Sequence, residues 1–193
     1  LLPKIQGFTE FTQNMEGQSF NARFFDRTFL SSANWDDWLR QTDSLKTRLT
    51  PSKIDSAMYL FPKEIYPLCG PETKRIMMER IKNLEPMARK LYLSLAKEVS
   101  VAGTREPDFF EIKSSDDTTV TISVYHLNKD GEKGRLFFHR QFFASETRMI
   151  LLYGLEGEDI FELTGNRICK IAITIISGKG KDKIKAKEKF YTD

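Results

Sequence analysis

The apolar periodicity of this chain changes once, at Gly103, and that change limits what the chain can fold into. Upstream, apolar residues recur at three- and four-residue steps, which gathers them on one side of an α-helix. Downstream they alternate with polar residues, the spacing of a half-buried strand. The pattern predicts an α+β chain: a helical N-terminal part followed by an all-β C-terminal module, either an antiparallel sandwich or a short β-roll (solenoid). The expected division is residues 1–33 as an extended arm with a short helix, 34–103 as a helical subdomain and 104–193 as a β-rich subdomain.

In the arm, Phe24, Phe25, Phe29 and Leu30 define one short helical face, and the stretch before them is expected to lie on the rest of the fold or on an upstream domain. From Asn34 the helical signals strengthen. Asn34 is a capping residue, Asp36 and Asp37 sit where the helix dipole favours anions, and Lys46 and Arg48 fall in the last turn. Trp35, Trp38, Leu39, Leu45 and Leu49 form the stripe to be buried. Thr50-Pro51 starts a second helix, since proline suits the first helical position, with Ile54, Ala57, Met58 and Phe61 on its face. Gly70-Pro71-Glu72 opens a third, and after Pro86 the stripe Ala88, Leu91, Tyr92, Leu95, Ala96 and Val99 runs toward a stop at Gly103.

Beyond Gly103, seven short runs rich in β-branched and aromatic residues predict seven strands, from DFFEIKSS to KIKAKEKF. Asn128-Lys129-Asp130-Gly131 between two of them is a hairpin turn. In the last run Lys183, Lys185, Lys187 and Lys189 share one face, the pattern by which an edge strand resists pairing with another edge.

Two related turns stand out among these strands. Gly157, Asp159 and Phe161 recur 23 residues on as Gly180, Asp182 and Ile184, and Gly154 is matched one position further along by Gly178. The spacing matches the calcium-binding β-roll repeat, in which turn carbonyls and an Asp carboxylate meet the ion and an apolar residue fills the core. A separation of 23 is longer than the nonapeptide step of such rolls, and Lys179, Lys181 and Lys183 would repel a dication at the second copy. The turns are therefore read as structural, with Leu151, Leu155 and Phe161 as core anchors. No cofactor is expected; if calcium binds, its ligands are Glu156, Glu158 and Asp159.

Other chemistry finds little support. His126 and His139 fall in the strands of one hairpin, where alternation can bring them to one face, but two histidines make a weak zinc site. There is no serine elbow and no phosphate-cradling loop. Cys69 and Cys169 are 100 residues apart in unlike segments, which reads as two buried free thiols unless an oxidising compartment joins them. The net charge of +3 is too small for a nucleic-acid binder, although Lys179 to Lys189 carries 6 lysines beside an otherwise acidic β half. No run approaches the roughly 20 apolar residues of a membrane span. The opening LLPKIQGF, without Met or a basic n-region, reads as part of a longer polypeptide.

The order of NARFFDRTFLSSANWDDWL, RLTPSKIDSAMYLFPKEIYPLCGPE, LYLSLAKEVSVAGTRE, HRQFFASETRMILLYGLEGEDIFELTG and IAITIISGKGKD resembles an uncharacterised region of large Gram-negative, Bacteroidetes-type envelope proteins. In those proteins the region lies between a phosphoesterase- or kinase-like domain and an outer-membrane surface-antigen β-barrel. The resemblance implies a periplasmic or cell-surface setting and transfers no catalytic residue.

The resulting expectation is a non-catalytic envelope module that positions a neighbouring domain or binds an envelope partner. One alternative is an accessory part of a hydrolase or phosphotransferase, with residues 1–33 completing an upstream active site. Another is a calcium-stabilised, adhesin-like secreted module.

Overall fold

In the computed structural model, which describes residues 8–12, 14–165 and 169–186, helices come first and strands after, giving a mixed α+β fold with two sheets and no closed barrel. The chain divides into two compact units. One comprises the described residues up to Arg23 together with Trp35–Ser94; the other comprises Phe24–Asn34 and the described residues from Leu95 onward.

The arm is more helical than expected. Helix α1 (Met15–Ser19), a 3-10 turn (Phe20–Ala22) and α2 (Arg23–Phe29) follow one another, and Asn14 caps α1 by accepting from Gly17 N. Residues 8–12 lie on the helical unit: Arg80 donates to Thr9 O at 2.6 Å, Arg75 pairs with Glu10 at 2.5 Å, and Thr12 N donates to the Met87 sulfur at 3.4 Å.

The helical unit holds α3 (Trp35–Arg48), α4 (Pro51–Met58), α5 (Tyr66–Lys82) and most of α6 (Leu84–Ala96). Its buried residues include Ile54, Met58, Ile76, Met87 and Tyr92, with the rings of Trp35 and Trp38 against Tyr92. The α3 stripe is covered at one end only: Trp35, Trp38 and Leu39 are half-buried, whereas Leu45 and Leu49 are exposed. Thr50 caps α4 with Pro51 in its first turn, as the sequence indicates. The break expected at Gly70-Pro71 is absent, because α5 runs through it. Pro71 lies near the helix start and forfeits only the bond to the Pro67 carbonyl. Among the described residues no helix is long and apolar enough to cross a membrane.

Helix α6 stops at Ala96, earlier than its apolar stripe suggests, and Val99 belongs to an unforeseen strand, β1 (Glu98–Ala102). Then follow β2 (Asp108–Ser114), β3 (Thr119–Leu127), β4 (Lys133–Phe143), β5 (Met149–Tyr153), β6 (Ile160–Gly165), β7 (Ala172–Ile176) and β8 (Lys183–Ala186). The sheets are ordered β1-β5-β7 and β4-β3-β2-β6-β8. All pairs are parallel except those of β3 with β2 and β4. Of the two architectures expected from the sequence, this is the roll. Three strand–turn–strand coils (β1–β2, β5–β6, β7–β8) stack in register, and the β3–β4 hairpin extends one sheet from the first coil.

Alternation of inward residues places one core between the sheets. Phe110 stacks on Phe161 at 4.4 Å, amid Val101, Ile112, Val120, Ile122, Val124, Ile150 and Leu152, all at most 1% exposed. Each such side chain contributes about 1.5–3 kcal/mol by leaving water. Phe161 is a core anchor as expected; Leu151 is not, because register turns Ile150 and Leu152 inward, and Leu155 is 45% exposed. Residues 24–34 tie to the first coil and the hairpin: Arg27 donates to Glu98 O at 3.2 Å and Arg140 to Ser31 O at 2.6 Å. Both cysteines are free, as expected, but neither is fully buried: Cys69 is exposed and Cys169 half-buried.

Candidate functional site

The turns of the three coils superimpose residue for residue. Ala102 pairs with Tyr153 and Phe109 with Ile160, so coil 1 and coil 2 have turns of equal length; Tyr153 with Ile176 and Ile160 with Lys183 give the same for coil 3. This alignment puts Asp108, Asp159 and Asp182 in one column. The sequence shows two copies of the turn and hides the first, because Thr104-Arg105-Glu106-Pro107 stands where the later turns carry glycine.

The column is joined by hydrogen bonds that point one way along the stack. Asp108 N donates to Asp159 Oδ1 at 2.9 Å, and Asp159 N donates to Asp182 Oδ1 at 3.0 Å. Carboxylates here serve as acceptors for amides that the turn would otherwise leave unpaired.

The other oxygen of each aspartate is treated differently. Asp108 is fully buried, and its Oδ2 accepts from Thr104 N at 2.6 Å and Thr104 Oγ1 at 2.9 Å, while Oδ1 accepts from His126 Nδ1 at 3.0 Å. In coil 2 the place of Thr104 is taken by Leu155, which has no hydroxyl and adopts φ 75°. Asp159 is likewise fully buried, and its Oδ2 has no hydrogen-bond partner among the described residues. Burial raises the Asp159 pKa to about 7; the nearby Asp108 and Asp182 charges add to this and the Asp108 amide opposes it. A Cβ on Gly154 would overlap both Asp159 Oδ2 and the Ser177 carbonyl, so these two oxygens border the same small space.

Of the three residues that sequence spacing offers as calcium ligands, only Asp159 is buried. Glu156 and Glu158 are exposed, and Glu156 takes part in a parallel bridge to Lys179. Among the described residues no group of three or more His, Cys, Asp or Glu side chains is placed to hold a metal ion.

The histidines part company. His139 lies opposite Ser123, and Ser123 and His126 are three residues apart on β3, so the two histidines occupy opposite faces of the sheet. His126 pairs with Asp108 and stacks on Phe137, whereas Ser123 Oγ bonds His139 Nδ1 at 2.9 Å. The carboxylate–histidine pair and the serine thus belong to separate contacts, and the geometry of a nucleophilic triad is not assembled.

The helical unit carries a cleft of about 590 Å³ between α4 and α5, walled by Met58, Tyr59, Phe61 and Tyr66 with Asp55 ion-paired to Lys74. No protein-family model matches this chain, and no curated protein or solved structure does so either.

Proposed function

We propose that this chain is a non-catalytic module of the cell envelope, periplasmic or at the outer surface, that positions a neighbouring domain or binds a partner protein. The observation that carries this reading is the corner joining α4 to α5, where Tyr59, Leu60 and Leu68 are 88%, 85% and 80% exposed. Large apolar side chains left bare together mark interaction surfaces more often than reaction sites. The groups of the roll with chemical potential support the same reading, since Asp108, His126, Ser123 and His139 are engaged with one another in structural contacts.

The test is to assay the purified chain against phosphomonoesters, phosphodiesters and ATP with Mg²⁺, Mn²⁺ and Ca²⁺, and to fractionate cells expressing the tagged protein. Recovery in the envelope fraction without turnover is expected; saturable turnover overturns the reading.

A second reading makes the chain an accessory part of a hydrolase or phosphotransferase whose active site lies upstream. It draws on α2, where Phe24, Phe25 and Phe29 are 71%, 65% and 66% exposed and present an aromatic face for another domain. Replacing these three by serine then lowers the activity of the longer polypeptide while leaving the melting temperature of this chain in place.

A further inference from the structure

The third coil ends both sheets: β7 closes the order β1-β5-β7 and β8 closes β4-β3-β2-β6-β8. Among the described residues nothing pairs with the outward edge of either strand. Such an edge presents unpaired N–H and C=O groups to any chain that can adopt the register.

Three features of this edge are incomplete in the same direction. The aspartate column donates outward, from Asp108 N to Asp159 and from Asp159 N to Asp182, and the Asp182 N–H is next in line without an acceptor among the described residues. The apolar column is also cut short, because Phe161 is fully buried while its neighbour Ile184 in coil 3 is 55% exposed. Finally, charge alternates along one column of the stack and changes sign from coil 2 to coil 3 in two others. Arg105, Glu156 and Lys179 occupy one column, with Glu156 bridged to Lys179, and Glu158 stands above Lys181 as Glu162 does above Lys185. Glu156, Glu158 and Glu162 of coil 2 are thus each matched by a lysine in coil 3, and among the described residues no further coil meets those lysines.

We propose that the outward edge of β7–turn–β8 is a docking site for an acidic strand–turn–strand coil of a partner polypeptide. The coil adds in parallel to both sheets. An aspartate in its turn accepts the Asp182 N–H, apolar residues cover Ile173, Ile175 and Ile184, and glutamates or aspartates meet Lys179, Lys181 and Lys185. This inference rests on the interaction-module reading and names the partner's chemistry.

The test uses the whole chain and, as probe, a soluble carrier displaying the sequence of residues 149–165, the acidic coil that already fits coil 3 from the other side. Amide hydrogen exchange is read in residues 172–176 and 183–186. The probe is expected to slow exchange there by about tenfold or more, since pairing protects edge amides. A probe with E158K and E162K is expected to do nothing, and to regain binding to the Lys181→Glu/Lys185→Glu protein. The proposal is overturned if the acidic probe gives no protection, if both probes protect equally, or if polyglutamate or phosphatidylglycerol vesicles reproduce the effect. These failures leave the module reading standing, because that reading falls on enzymatic turnover instead.

Discussion

Asp108 donates its backbone N–H to the carboxylate of Asp159 at 2.9 Å, across 51 residues of sequence, and so fixes the first coil of the roll to the second. The bond needs only Oδ1, which leaves Asp159 Oδ2 buried beside the Ser177 carbonyl. Asparagine reproduces the acceptor and carries no charge to bury. Asp159→Asn is therefore expected to raise the melting temperature at pH 8, where the wild-type carboxyl is charged. Asp159→Ala, which removes the acceptor as well, is expected to cost about 1–3 kcal/mol. A thermal melt in which the asparagine variant is the less stable of the pair contradicts this account.

The same carboxyl sets a pH dependence. Its folded-state pKa of about 7 lies above the ordinary value of 3.8, so the native state holds the proton more tightly than the unfolded chain. The stabilisation is complete below the ordinary value and is lost as pH rises through about 7. Urea denaturation midpoints should fall between pH 5 and pH 8 in the wild type by more than in Asp159→Asn. Glu111 works in the opposite sense: burial raises its pKa, but Lys133 and Lys113 outweigh that and hold it below the usual carboxylate range, so its contribution is lost on acidification.

Calcium offers a separate check. With Glu156 and Glu158 exposed, Asp159 is the one buried carboxylate of the three at that turn. Millimolar Ca²⁺ at pH 8 is expected to leave the melting temperature unchanged. An upward shift abolished by Asp159→Asn would revive the calcium-stabilised reading, because a ligand of the native state stabilises by mass action.

Leu155 adopts φ 75°, a conformation disfavoured for a side chain bearing Cβ, at the position where coil 3 uses Gly178 with φ 92°. Leu155 is 45% exposed and contributes little to the core. Leu155→Gly is expected to stabilise the protein by about 0.5–1 kcal/mol through relief of that strain. Equilibrium unfolding distinguishes this from the loss expected if the leucine packs.

Two glycines separate crowding from backbone angle. At Gly154 an added Cβ would overlap the Ser177 carbonyl and Asp159 Oδ2, whereas at Gly131, with φ 77°, nothing lies within 4 Å. Gly131→Ala should therefore cost about 1 kcal/mol from its backbone angle alone. Gly154→Ala should cost about 2–3 kcal/mol or more, because coils 2 and 3 must move apart. Equal losses in the two variants would mean that the coil spacing is softer than the close contact implies.

The helix-to-strand order, the NKDG hairpin and Thr50-Pro51 at the start of α4 were legible in the sequence, because each rests on local chemistry. Side-chain period, a turn's need for Asn and Gly, and proline's fixed φ act within a few residues. The seven strand runs downstream of Gly103 were legible for the same reason. What pairs with what was not. Val99 and Val101 read equally well as the end of a helical stripe, and only parallel pairing with Ile150 and Leu152 makes them a strand.

The candidate site divides along the same line. Sequence alone determined that Gly154, Asp159, Gly180 and Asp182 form repeated turns, since glycine spacing and aspartate are written in the chain. Tertiary structure alone decided that Asp108 belongs to the same column, that Glu156 and Glu158 face outward while Asp159 is sealed in, and that a lysine coil is left at the end of the stack. The reason is that burial, and with it the protonation of Asp159, depends on which coil lies above and which below. That is a property of contacts between residues 23 to 51 positions apart, and no local pattern records it.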